Sequence, residues 1–225
     1  MKLTPETLAI LKNFGIINQG IHFKKGNTLK TVSTHKNILA QAEIIEDIPC
    51  DFGVYDLNNL LSVVSLHKVE PTFDFDDKHV VIVGNNGRSK IKYRFCDPSM
   101  IVTPPDKALA MPDPEINLEL SSEDFIWIMR AASVLATPHI AIESNGSMIY
   151  ITTIDLENDG AHTDSLELTG GNGSTYRMIF KTENLTKILP GSYNVKISSK
   201  GIAHFVNKII PVQYWITIEA GSHYE

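Results

Sequence analysis

Apolar and polar positions alternate along this chain in two rhythms that return in a fixed order. Thr4 to Phe14 has the helical rhythm. Thr4 is placed to cap, Pro5 fits the first helical position, and Leu8, Leu11 and Phe14 recur at helical spacing. IHFKKGNTLKTVS then reads as two short strands around Lys25-Gly26-Asn27, and ILAQAEI as a third. A second round opens with the strand DFGVY. Asp56 caps a helix reaching Leu66, with Leu57, Leu60, Leu61 and Val64 on one face, and FDFDD and HVVIVGNNGRSKIKYRF supply further strands.

Between Pro98 and Pro114 the rhythm stops. Pro104, Pro105, Pro112 and Pro114 restrict themselves and the residues before them, which predicts an extended linker. Beyond it the scheme restarts. INLEL is a strand, and Ser121-Ser122-Glu123-Asp124 opens a helix with acids in its first turn, continued by Phe125, Ile128, Met129 and Ala132. HIAIESNGSMIYITT is a hairpin around Asn145-Gly146. TYRMIFK, a helix from Thr182 to Leu189 ended by Pro190-Gly191, and SYNVKISS, GIAHFVN and VQYWITIEA complete the chain.

One repeat of strand, helix and three strands therefore occurs four times, two on each side of the linker. Only the first lacks a clear opening strand, which the residues around Leu3 are placed to supply. The expected fold class is α+β. Its expected domains are 1–97 and 116–225, joined by a linker over 98–115. Helices that follow equivalent strands fall on one side of antiparallel sheets, and closing such bodies head-to-tail makes a ring with helices inside and sheets outside.

MKLTPETLAILKNF, the YDLNNLLSVVSL helix, the CDPSMIVTPP linker and the closing ITIEA resemble the sliding clamp of T-even-type bacteriophages, over essentially the whole chain. The resemblance implies the DNA-clamp fold and a homotrimeric ring of six similar domains around duplex DNA. It implies a processivity factor for the phage DNA polymerase, loaded by an ATP-driven clamp loader and also contacting the late-transcription machinery. The place of action would be the cytoplasm of an infected bacterial host. Without the resemblance, the same pattern also fits a two-domain small-molecule-binding or enzymatic protein, or a structural virion assembly protein.

Candidate chemistry changes this picture little. The eight histidines show no paired ligand spacing, so neither metal nor cofactor is expected. Gly170-Gly171-Asn172-Gly173-Ser174 lacks the Lys-Ser/Thr of a phosphate loop and reads as a strand connection. Glu46-Asp47 and Asp74-Asp76-Asp77 read as solvated turns. Cys50 and Cys96 read as reduced, small core residues. With no catalytic constellation, the chain is expected not to be an enzyme. No apolar run approaches a membrane span. The N-terminus carries a lysine within its apolar periodicity and no small-residue cleavage site, so secretion is not expected.

A net charge of −6 argues against tight nucleic-acid binding. A ring that holds DNA by topology needs only a local bias of sign. The helical segments 1–14, 56–68, 121–134 and 181–189 carry six cations against five acids, leaving −7 for the rest. The expected pore cations are Lys2, Lys12, Lys68, Arg130, Lys181 and Lys187, although cations near helix C-termini also complement the helix dipole. By family analogy, a partner's peptide tail would lie in an apolar groove near the linker and the chain's end, with Ile101, Val102, Met111, Ile218 and Ala220 as candidates. Ring closure would pair the strand Ser89 to Phe95, bearing Lys90, Lys92 and Arg94 on one face, with Thr163 to Thr169, bearing Asp164 and Glu167.

Overall fold

The computed structural model describes residues 1–67, 69–84, 87–105, 111–171 and 173–225. The chain divides into two compact units, residues 1–108 with 210–212 and residues 109–209 with 213–225.

The first unit runs α1 (Pro5–Ile17), β1 (Ile21–Phe23), β2 (Gly26–Val32), β3 (Ile38–Ile48), β4 (Phe52–Val54), α2 (Leu57–Ser65), β5 (Thr72–Phe75), β6 (His79–Gly84) and β7 (Ser89–Arg94). Thr4 caps α1 by accepting the Thr7 N–H, and Asp56 caps α2 by accepting the Asn59 N–H at 2.9 Å. α1 continues three residues past Phe14, because Ile17 is still buried and the Asn18 N–H closes the last turn on the Phe14 carbonyl. Leu57, Leu60, Leu61 and Val64 are all buried, as the α2 periodicity requires. The two helices meet at Gly15, where a Cβ would stand 2.7 Å from Asn58 Oδ1. The opening strand missing from the first repeat is replaced by a reciprocal pair of bonds. The Met1 amino group donates to the Phe73 carbonyl, and the Phe73 N–H to the Met1 carbonyl.

β3 corrects one expectation. The strand does not end at Ile44 but runs to Ile48, and Glu46 is buried, not solvated. Inward positions alternate Ile38, Ala40, Ala42, Ile44, Glu46 and Ile48, so the carboxylate occupies a slot of the core face. It is stabilised there by the start of α1, accepting the Thr7 hydroxyl at 2.6 Å and the Thr4 N–H. β2 pairs antiparallel with β3, β1 with β4, and β5, β6 and β7 form a three-stranded sheet with β7 at its edge. Phe52 stacks between Phe23 and Phe95 at centroid distances of 4.6 and 4.5 Å. The cysteines also differ from expectation. Both are free and only partly buried, and the Cys96 main chain bridges to Gly53.

The second unit runs β8 (Ile116–Leu120), α3 (Ser122–Leu135), β9 (His139–Asn145), β10 (Met148–Ile154), β11 (Ser165–Gly170), β12 (Thr175–Lys181), α4 (Thr182–Leu185), β13 (Tyr193–Ser198), β14 (Ile202–Asn207), β15 (Val212–Thr217) and β16 (His223–Tyr224). Strands lie in the orders β11-β10-β9-β12-β16 and β15-β14-β13-β8, all antiparallel where paired. Asn145 Oδ1 accepts from the N–H groups of Ser147 and Met148, and Gly146 takes a φ of 89°, which makes the expected hairpin turn. Ser121 caps α3 through the Asp124 N–H at 3.0 Å.

α4 is one turn, shorter than the expected helix to Leu189. Its bonding slips from the α-type bond of Thr186 to Thr182 to the tighter bonds of Lys187 to Asn184 and Ile188 to Leu185. Pro190 then forbids continuation. The Gly170–Ser174 stretch joins β11 to β12, and the Gly171 and Gly173 N–H groups donate to the Ser147 and Gly146 carbonyls of the hairpin turn; its residue 172 lies outside the described residues. β16 was not expected. It pairs with β12, and Tyr224 stacks on Tyr176. Burial pushes the Tyr176 hydroxyl up to about 12, so the ring is neutral.

Candidate DNA-facing, interface and partner surfaces

In each unit the helices cover sheet with one face and leave the other in solvent. On α1 the open positions include Glu6, Ala9, Lys12 and Ile16. On α2 they are Asn58, Asn59, Ser62 and Ser65, and on α3 Glu123, Ile126, Trp127, Arg130, Ser133 and Val134. These faces carry sparse charge; that of α2 is polar, whereas those of α1 and α3 also expose Ile16, Ile126, Trp127 and Val134. Lys2, Lys12 and Arg130 are exposed and form no ion pair among the described residues. Lys181 lies 3.7 Å from Glu219, and Lys187 is tied to Glu183 at 2.7 Å, one turn away on the same short segment. Two of the expected pore cations are thus partly neutralised by their own unit. Lys68 lies outside the described residues.

The expected interface strands are edges of their own sheets. On β7, Lys90, Lys92 and Arg94 are exposed and Ile91 and Tyr93 half-buried; the strand ends at Arg94, so Phe95, half-buried, lies just past it. Tyr93 is anchored by donating its hydroxyl to the Asp56 carbonyl at 2.9 Å, and burial pushes its ionisation up. β11 starts at Ser165, two residues later than expected, with Glu167 exposed. Asp164 stands just before it; its carbonyl accepts the Thr153 N–H at 2.9 Å, its N–H donates to the Thr153 hydroxyl at 2.8 Å, and its Oδ2 accepts the indole N–H of Trp127 at 2.9 Å. Trp127 is 58% exposed beside this edge. The sequence reading missed it, although an aromatic one residue from the buried helical phase was a visible signal.

The partner-groove candidates are dispersed in environment. Ile101 is buried in the first unit, against Gly20 and Gly53, and so offers no open groove. Val102 is 38% exposed, and its carbonyl accepts the Asn18 side chain at 3.0 Å. In the second unit Met111 and Ile218 are half-buried and Ala220 is exposed.

Among the described residues, no three His, Cys, Asp or Glu side chains converge as a metal site. His204 lies flat on Trp215 at 4.5 Å and bonds Gln213, and burial lowers its basicity. It is a packing histidine. Among the described residues, no helix is long and apolar enough to cross a membrane.

Repeats of strand, helix and three antiparallel strands, with open helix faces and oppositely charged sheet edges, define the DNA-clamp fold. Solved structures agree. Proliferating cellular nuclear antigen of Entamoeba histolytica superposes with a TM-score of 0.71 over 97% of both chains at 13% identity. The Helicobacter pylori beta clamp superposes at 0.72 over 97% of this chain and 65% of its own. The DNA polymerase processivity factor family matches residues 4–103. The sliding clamp of Escherichia phage RB69 is 31% identical over the full length of both chains, and that of Vibrio phage KVP40 is 28% identical over 98% of this chain and all of its own. The chain belongs to the sliding-clamp family.

Proposed function

We propose that three copies close head-to-tail into a ring around duplex DNA and tether the replicative DNA polymerase, in the cytoplasm of an infected bacterial cell. On this reading each compact unit serves as one clamp domain, with 98–115 as the connection. The observation that carries it is the pair of sheet edges, β7 with outward Lys90, Lys92 and Arg94 and β11 with outward Glu167. Opposite charge on non-identical edges favours a heterologous, closing contact over like-with-like pairing. Exposed edges of this kind also need cover against aggregation.

The open helix faces suit a pore. Lys12 and Arg130 supply a weak positive bias, and sparse charge keeps friction on the phosphates low. The chain acts without catalysing a reaction. An ATP-driven loader opens and places the ring, and the late-transcription machinery uses the same platform. Partner tails dock on apolar surface, for which Val102→Glu and Ala220→Glu test the two units separately. Primer extension on singly primed circular DNA, with cognate polymerase, loader and ATP, tests the proposal. Product length should rise sharply when the chain is added. Unchanged lengths would contradict it.

A further inference from the structure

Leu61, Val64 and Phe73 are buried, and with the half-buried Leu8 they wall a cavity of about 200 Å³ in the first unit, lined from α1, α2 and β5. The imidazole of His67 lines the same cavity and is only 8% exposed. Its main-chain N–H closes on the Val64 carbonyl at 3.2 Å, and Gly84, which has no Cβ, makes room for the ring. Neither ring nitrogen has a hydrogen-bond partner among the described residues. A neutral imidazole carries one donor and one acceptor, and burying both unmet is unfavourable. An apolar cavity with one such polar group has the form of a small-molecule site.

The lining narrows the ligand. Apolar cavities of about 150 Å³ take up benzene, so this one holds a single aromatic ring with one small substituent. A hydroxyl on that ring is compact and uncharged, and it can donate to the imidazole lone pair or accept from its N–H. Charged substituents fare worse: a carboxylate meets the exposed Glu70 and an ammonium the exposed Lys12, both of which line the cavity. We propose that this cavity binds a small phenol, with its ring against Leu61, Val64 and Phe73 and its hydroxyl on His67. The cavity lies within one unit, so the inference requires neither ring closure nor DNA and its outcome is separate from that of the clamp reading.

The test is NMR titration of the full chain, labelled at its Leu and Val methyls, with phenol. Toluene, benzoate and N-acetyltyrosinamide serve as comparisons, the last standing for a tyrosine of a partner protein. Phenol should bind about tenfold more tightly than toluene, which leaves the imidazole unmet, and more tightly than benzoate or the tyrosine amide. Nuclear Overhauser effects from the phenol ring should reach the Leu61 and Val64 methyls of the unaltered protein, a readout independent of how any variant folds. His67→Leu should erase the preference for phenol over toluene. Absence of binding, contacts confined to other methyls, equal binding of toluene, tighter binding of benzoate or the tyrosine amide, or a preference that survives His67→Leu would overturn the proposal.

Discussion

Thr7 on α1 donates its hydroxyl to the buried carboxylate of Glu46 on β3 at 2.6 Å, joining the first helix to the sheet beneath it. Burial alone would raise the Glu46 pKa. The bonds from the Thr7 hydroxyl and the Thr4 N–H outweigh it and leave the group below its ordinary 4.5. A depressed carboxylate contributes stability that is present above its unfolded pKa and is lost as pH falls through the folded value. Glu46→Ala should therefore cost about 2 kcal/mol near neutral pH, by removing the acceptor of the Thr7 hydroxyl and of the Thr4 N–H. The gap between variant and parent should narrow as pH falls below the ordinary carboxylate value of 4.5. Urea titrations across that range measure it, and a pH-independent gap would assign the loss to packing alone.

The charged edges predict a reciprocal substitution. Lys92→Glu on β7 should weaken self-association, and adding Glu167→Lys in the same chain should restore much of it. Each exposed pair contributes no more than about 1 kcal/mol, so the effect belongs at low protein concentration and modest salt. Sedimentation velocity reads it. Lys92→Glu leaving assembly unchanged would rule out this edge.

The helix cations should not contribute equally. Lys12→Ala with Arg130→Ala should leave assembly intact yet shorten residence on DNA, more so as salt rises. Lys187→Ala should matter less, because Glu183 already engages that ammonium at 2.7 Å. Loading assays over a salt series separate the two, and an equal effect of Lys187→Ala would contradict the ranking.

Gly84 faces the buried ring of His67, and an added Cβ would fall 2.0 Å from Nδ1. Gly84→Ala should cost about 2 kcal/mol by overpacking. Combined with His67→Ala, the loss should be clearly less than additive. Chemical denaturation of the four proteins of the cycle measures this coupling, and strict additivity would exclude the contact.

Much of this fold was legible because its punctuation is local. Thr4, Asp56 and Ser121 cap the helices they were expected to cap, and Asn145-Gly146 turns the expected hairpin. The misreadings arise where distant parts decide. Glu46 looks like a turn residue until the period-two run Ile38 to Ile48 is followed to its end, and only α1 explains why an acid is stable there. The helical pattern expected to Leu189 holds for one turn, after which the bonds of Lys187 and Ile188 close over three residues before Pro190. Ile101 sits among exposed neighbours in sequence yet is buried by Gly20 and Gly53, some fifty to eighty residues away.

The central claim is topological tethering, and linearisation tests it most directly. The labelled chain is loaded on nicked circular DNA with loader and ATP, the complex is isolated by gel filtration in moderate salt, and half is cut once with a restriction enzyme. The account predicts that label stays with the intact circle and leaves the linear molecule over its free ends. Equal retention on both forms would mean that the protein binds DNA by contact, and would contradict the clamp.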